Sequence, residues 1–224
     1  MSNTPEQLVF ELPHRAAMGL EDFLVSESNA AAVALVDRWP DWPVGAAILV
    51  GPTGSGKTHL ANVWQLRTAA TSYPAPVLSR EGVPAVASAG AVIIEDIQTL
   101  VDEAALFHLL NLVREQRLQV LLTTDTAPGD LCVGLPDLRS RLKALPMASI
   151  EAPDDALLRA VLVKLFADRQ LSVEPHVIDY VLVRMERSMS AAERFVTEAD
   201  RQALVRQRRV TRAIAATALD VLGY

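Results

Sequence analysis

Ala46-Ala47-Ile48-Leu49-Val50 runs straight into Gly51-Pro52-Thr53-Gly54-Ser55-Gly56-Lys57-Thr58, and His59-Leu60-Ala61-Asn62 follows. The glycine-bounded segment fits the phosphate-loop pattern G-x-x-x-x-G-K-[ST] without a mismatch. Its context is the one the mechanism requires: an apolar strand before it and a helix-forming stretch, about His59 to Ala70, after it. Glycines let backbone N–H groups turn inward onto phosphate oxygens, and the helix N-terminus adds partial positive charge. In this pattern Lys57 reaches the β- and γ-phosphates and the Thr58 hydroxyl takes Mg²⁺. The competing reading is a glycine-rich strand–helix turn that carries a surface lysine. The full match in its proper context favours a site for ADP or ATP with Mg²⁺.

Outward from the loop, strand and helix patterns alternate. Ala91-Val92-Ile93-Ile94-Glu95-Asp96 and Gln119-Val120-Leu121-Leu122-Thr123-Thr124-Asp125 read as buried parallel strands with polar carboxyl ends. Asp102 opens an amphipathic helix to about Arg117, with Leu106, Leu109, Leu110 and Val113 on one face. A helix from about Ala30 to Trp39 precedes the first strand, and Pro40 and Pro43 close it. Residues 71–90, rich in Pro, Ser, Ala and Gly, offer short strand candidates at Ala75–Leu78 and Val83–Val86. Pro136 opens a short helix carrying Arg139, Arg141 and Lys143, and Met147–Ile150 reads as a last strand. Beyond Pro153, Asp154–Arg169, Pro175–Arg187, Ser190–Arg206 and Thr211–Leu222 are all helical patterns. The expected class is α/β, a parallel sheet flanked by helices, with a small all-α lid. The expected division is a leader over 1–20, a nucleotide-binding base over 21–152 and the lid over 153–224.

Composition narrows the function. The 224 residues are half hydrophobic and carry a net charge of −6, which argues against a surface that coats nucleic acid. Cys132 is the single cysteine and the four histidines are scattered, so neither a disulfide nor a side-chain-only metal site is expected. The N-terminus is polar and the apolar runs fall far short of a membrane span, which predicts a soluble cytoplasmic protein with no membrane partner.

Ligands in open α/β sheets sit at the carboxyl ends of the strands, which brings Glu95, Asp96 and Asp125 to the nucleotide. Adjacent carboxylates suit the two tasks of holding Mg²⁺ through water and orienting an attacking water. One of the pair could instead only cap its loop. Arg139 and Arg141, two residues apart on a short helix, point in different directions, and such an arginine can reach a neighbour's γ-phosphate or simply be a solvated charge. The lid cluster Arg201, Arg206, Arg208, Arg209 and Arg212 could touch a phosphate backbone, but reads first as a solvated helix end whose cations complement the carbonyl terminus. In the leader, Gln7-Leu8-Val9-Phe10-Glu11-Leu12 alternates polar and apolar residues. It reads equally as an edge strand or as a linear peptide docking through Leu8, Phe10 and Leu12.

Gly51–Leu60, Ile94–Gln98, Leu121–Asp125 and Leu138-Arg139-Ser140-Arg141-Leu142 resemble, in the same order, the AAA+ core of the DnaA family of bacterial replication initiators. Glu21-Asp22-Phe23 and Ser28-Asn29 resemble that family's opening box, so the likeness spans about residues 20 to 222. The chain stops at Tyr224 without a helix-turn-helix segment, and residues 71–90 look too short for the initiator's extra helices. Together with the leader, this resembles the Hda group of DnaA-related regulators, where a Gln-Leu-x-Leu/Phe peptide binds the polymerase sliding clamp. The clamp-bound regulator then stimulates ATP hydrolysis by DnaA and so restrains replication initiation.

The resemblance implies clamp contacts at Gln7, Leu8, Phe10 and Leu12, and nucleotide contacts at Gly51–Thr58, His59 and Phe23. It implies Mg²⁺ at Thr58 and, through water, at Glu95, with a Walker B pair Glu95–Asp96, a sensor I residue Asp125 and an arginine finger Arg141. Partners would be the clamp and DnaA, with a homodimer open and little direct DNA binding. Two departures stand out: Glu95 replaces the usual aspartate, and Ser190 falls where a sensor II arginine belongs, with Arg187 and Arg194 nearby. Both favour a nucleotide that sets a shape over autonomous turnover. An ATPase that loads or remodels a replication protein such as a helicase is the alternative, and a DNA-binding initiator the weakest reading.

Overall fold

The computed structural model describes residues 24–206 and 208–224. The expectations for Gln7, Leu8, Phe10, Leu12 and Phe23 lie outside the described residues.

A five-stranded parallel sheet forms the base, in the order β2-β3-β4-β1-β5. Its strands are β1 (Ala46–Val50), β2 (Thr71–Pro74), β3 (Ala91–Glu95), β4 (Gln119–Thr124) and β5 (Met147–Ser149). The central strands carry continuous apolar runs because helices cover both faces. Alternate residues face opposite ways. Ile48, Val50, Val92, Ile94, Val120 and Leu122 therefore pack on one side, against α3 (Val83–Ala87), α4 (Glu103–Gln116) and α5 (Pro136–Ala144). Ala47, Leu49, Ile93 and Leu121 pack on the other, against α1 (Ala30–Asp37) and α2 (Lys57–Thr68). A separate core binds α6 (Asp155–Asp168), α7 (Pro175–Leu182), α8 (Met189–Arg206) and α9 (Arg212–Leu222), with Phe166 and Phe195 meeting edge to face at 6.2 Å. Among the described residues, no helix is long and apolar enough to cross a membrane.

Two expectations fail between residues 71 and 90. Ala75–Val77 is a 3₁₀ turn and Val83–Ala87 is α3, where strands were expected. Proline decides both, since Pro76 and Pro84 occupy the opening positions of the two helical segments; there a missing N–H costs nothing and the fixed φ suits a helix. The strand of this region is Thr71–Pro74, half exposed at the sheet edge and paired to β3 with Ser72 opposite Ile93. Its polar side chains conceal it from a search for apolar runs.

Trp39 and Trp42, after α1, close over the α2 face of the sheet. Trp64 of α2 is fully buried, stacked on Trp42 at 5.4 Å and edge-on to Trp39 at 6.4 Å. Trp42 also ties back to α1 by donating Nε1–H to the Leu35 carbonyl (2.9 Å). This cluster fixes the helix that leaves the phosphate loop. Trp64→Ala is expected to cost about 3–5 kcal/mol in urea unfolding. A loss under about 1 kcal/mol, the scale of a surface change, would contradict that assignment.

Candidate nucleotide-binding site

The phosphate loop leaves the carboxyl end of β1, which lies between β4 and β5. The carboxyl ends of β3 and β4 converge there, the position at which parallel sheets bind ligands. Gly54 and Gly56 hold φ of +77° and +107°, left-handed conformations that L side chains avoid. Gly51 has no room for a side chain either, because a Cβ would lie 2.4 Å from the Ile150 carbonyl oxygen.

Lys57, the first residue of α2, is buried and donates to the carbonyl oxygens of Gly51 (2.7 Å) and Pro52 (3.2 Å). Burial pushes its ammonium down from the ordinary lysine range, while Asp96, Asp125 and Glu95 push back, in that order of strength. The fold thus gathers the three carboxylates expected at the site around this one cation.

Each carboxylate is held differently. Glu95 accepts from the Thr58 hydroxyl (3.0 Å) and, through its other oxygen, from Ser72 (2.6 Å). Asp96 adopts a left-handed backbone (φ 56°), which aspartate tolerates better than most residues, and its N–H donates to Thr123 (3.0 Å). Gln98 bridges the two strand ends, donating to Asp96 (3.2 Å) and accepting from the Asp125 N–H (3.3 Å). A hydroxyl and a carboxylate at Thr58 and Glu95 are hard oxygen donors of the kind Mg²⁺ prefers. Among the described residues no group of three or more His, Cys, Asp or Glu could hold a metal by itself. A cation here would therefore share its coordination with phosphate oxygens, whose charge it would neutralise.

Beside the loop lies a cavity of about 260 Å³, close to the lower end of the ~300–1,000 Å³ of small-molecule sites. Leu24, Asn29, Ser55, Gly56 and His59 line it from the base, and Leu157, Val161, Leu165 and Met189 from the lid, which also brings Glu193 and the paired Lys164 and Asp168 to it. Asn29 shapes the rim by donating to the Leu24 carbonyl and accepting from the Ser26 N–H, both at 2.9 Å. The Ser55 hydroxyl, buried in the loop, has no hydrogen-bond partner. A slot with apolar walls and a charged lid rim, beside a glycine cradle, a lysine and an unpaired hydroxyl, fits a nucleotide: base in the slot, phosphates on the loop.

The lid wall could not be read from the sequence as part of a site. Its signal is a second apolar stripe on α6, with Leu157, Val161 and Leu165 spaced by four beside the core stripe Leu158, Leu162 and Phe166.

The lid also closes directly on the loop. The Met189 N–H donates to the Gly54 carbonyl (2.8 Å), and a Cβ on Gly54 would sit 2.6 Å from the Ser188 Cβ and 3.3 Å from the Ser190 hydroxyl. Ser190 therefore faces the loop. The two nearby arginines are engaged on the lid surface: Arg187 pairs with Asp155 (2.9 Å), and Arg194 with Glu186 (3.7 Å) and the Tyr224 hydroxyl (2.9 Å).

Arg141 is not part of this gathering. Its guanidinium lies over the Phe107 ring, 4.7 Å from the centroid. It lines a groove with Val44 and Ala46, at the amino end of β1, whereas the phosphate loop leaves the carboxyl end. The strand between spans about 13 Å. Glu103 pins the approach to α5, accepting from the Gly134 and Leu135 N–H groups at 2.7 Å each, while Arg139 turns back to the Val133 carbonyl. Arg141 thus presents its charge at a different edge of the molecule. The lid's basic residues are partly engaged too, Arg201 with Glu198 (2.6 Å) and Arg212 over Tyr180 (4.5 Å).

Comparison with solved structures gives the same architecture. Domain III of the Thermotoga maritima replication initiation protein DnaA superposes with a TM-score of 0.74 at 18% identity, covering 88% of this chain and 93% of that one. The fold is AAA+. A DnaA bound to AMPPCP and single-stranded DNA matches with a TM-score of 0.67 at 19% identity, over 84% of this chain and 70% of that one. The Thermotoga maritima RuvB branch-migration motor gives 0.66 at 21%, over 79% and 61%. In sequence, the chain is 25% identical over 202 residues to DnaA of Cutibacterium acnes, covering 77% of the chain and 40% of that protein. It is 26% identical over 204 residues to DnaA of Symbiobacterium thermophilum, covering 79% and 44%. The chain thus spans less than half the length of these curated relatives. No family model matches it.

Two variants test the site. Lys57→Met removes a buried charge whose desolvation opposes folding, so ADP affinity is expected to fall at least about ten-fold while the melting temperature stays or rises. A lowered melting temperature with affinity retained would contradict the burial argument. Gly54→Ala combines a positive φ with a clash against Ser188, so both nucleotide affinity and lid packing should suffer. Calorimetry and limited proteolysis of the lid read these out, and unchanged values in both would refute the contact.

Proposed function

We propose that this chain is a nucleotide-bound adaptor of the Hda kind, which binds the polymerase sliding clamp and stimulates ATP hydrolysis by the replication initiator DnaA. The observation that carries the reading is the separation of Arg141 from the chain's own phosphate loop. A guanidinium at the amino end of the strands can complete an ATP site only on another molecule. There it supplies the charge that stabilises the phosphoryl-transfer transition state, an effect of about a thousand-fold or more.

The second support is Ser190. The lid residue that faces Gly54 carries no charge, so the chain's own site has its loop, its lysine and its carboxylates but no arginine from this lid position. Bound ADP or ATP then bridges base and lid and stabilises the shape in which Arg141 and its flanking surface are offered. The leader residues Gln7, Leu8, Phe10 and Leu12 would dock on the clamp, and DNA would be held by the partners rather than by this acidic chain. The base over 21–152 and the lid over 153–224 would act as one nucleotide-clamped unit.

A different reading rests on the Thr58–Glu95 hydrogen bond, which leaves a hydroxyl and a carboxylate ready for Mg²⁺ and is compatible with autonomous turnover by a loader or remodelling ATPase. Steady phosphate release by the isolated chain would favour that reading.

The test uses the full chain with clamp and DnaA. Arg141→Ala is expected to keep nucleotide and clamp binding while lowering stimulated DnaA hydrolysis by at least about a hundred-fold. Normal stimulation by this variant would remove the finger. Alanines at Gln7, Leu8 and Phe10 are expected to abolish clamp capture with nucleotide binding intact, and retained capture would refute the leader's role.

A further inference from the structure

Glu95 ends β3 with both carboxylate oxygens engaged by donors from two other elements. Thr58, in the first turn of α2, donates to Oε2 at 3.0 Å, and Ser72, on the edge strand β2, donates to Oε1 at 2.6 Å. Thr58 belongs to the phosphate loop. Ser72 does not, and no motif points to it. It sits on the least covered strand of the sheet, and its hydroxyl makes the shorter of the two bonds.

The physical consequence concerns torsional freedom. A glutamate has three side-chain torsions, and at a half-exposed strand end it samples several rotamers. Only some of these leave an oxygen beside Thr58. A short hydrogen bond to a carboxylate is among the stronger neutral-to-charged contacts. Because Ser72 lies on the strand paired to β3, with Pro74 opposite Glu95, the register of the sheet sets this donor.

We infer that Ser72 is a positioning residue that locks the Glu95 carboxylate against Thr58 and so fixes the oxygen pair that receives a nucleotide-bound divalent cation. The inference rests on the nucleotide reading of the phosphate loop. The donor chemistry fits Mg²⁺, since the hydroxyl and carboxylate are hard oxygens and each Glu95 oxygen keeps a second lone pair for cation-bound water. With no group of three or more His, Cys, Asp or Glu able to hold a metal among the described residues, the orientation of this one carboxylate carries much of the protein's share of cation affinity. Ser72 touches neither cation nor phosphate; it acts through Glu95.

The experiment measures ADP binding to the full chain by calorimetry, in EDTA and across a Mg²⁺ titration, for the wild type, Ser72→Ala, Ser72→Thr and the same Ser72→Ala change on a Glu95→Ala background. Ser72→Ala is expected to raise the Mg²⁺ midpoint about five-fold, the effect of one partly exposed hydrogen bond to a charged group. Its ADP affinity in EDTA stays at the wild-type value, Ser72→Thr restores the midpoint, and on the Glu95→Ala background the change has no further effect. An unshifted midpoint overturns the inference. So does an equal loss in EDTA, the mark of a merely structural role, or an effect that persists without Glu95. A wild-type chain that binds ADP without responding to Mg²⁺ refutes the cation role, and one that binds no ADP refutes the nucleotide reading beneath it.

Discussion

The ammonium of Lys57 has to be buried at the mouth of the phosphate loop, and much of the base is arranged so that this charge is tolerated. An isolated buried cation costs several kcal/mol even after relaxation. Two loop carbonyls accept from it, and Asp96, Asp125 and Glu95 oppose the depression that burial imposes on its pKa. Those carboxylates lie at or just past the ends of two strands of the sheet, so compensation requires β3 and β4 to run parallel to β1 and end at the same edge, with β4 paired to β1 and β3 next to β4. The parallel order β2-β3-β4-β1-β5 meets that requirement.

The second constraint is the approach of the lid. Met189 bonds to the Gly54 carbonyl, and Ser188 stands where no Cβ on residue 54 could fit. The loop is thus glycine at this point for two reasons, its positive φ and its contact with α8. A ligand held by the cavity walls touches base and lid together, which links occupancy to the relation of the two cores. This is a direct route by which nucleotide can set shape without being consumed.

Much of this was legible in the sequence, and the exceptions have physical causes. Ala46–Val50, Ala91–Glu95 and Gln119–Thr124 announce themselves because strands covered on both faces carry continuous apolar runs, with polar residues only toward their ends. Glu95, Asp96 and Asp125 follow because polar residues at the ends of such strands have one place to go. Thr71–Pro74 was hidden, since an edge strand needs no apolar run, and Ala75–Leu78 and Val83–Val86 misled because Pro76 and Pro84 turn apolar residues into helical turns. The cavity wall from Leu157 to Leu165 is set by packing between distant segments, which a local pattern does not register. Ser72 escaped for the same reason: its partner lies 23 positions away in sequence.

What distinguishes an adaptor from a motor is whose ATP is split. The most direct measurement preloads DnaA with γ-labelled ATP and this chain with unlabelled ADP, removes free nucleotide, and follows labelled phosphate after clamp on DNA is added. If Arg141 works in trans, label is released from DnaA in a single turnover, although this chain holds no ATP. If label stays on DnaA under these conditions and phosphate appears only when this chain itself carries ATP, the hydrolytic site is Lys57's own and the adaptor reading is wrong.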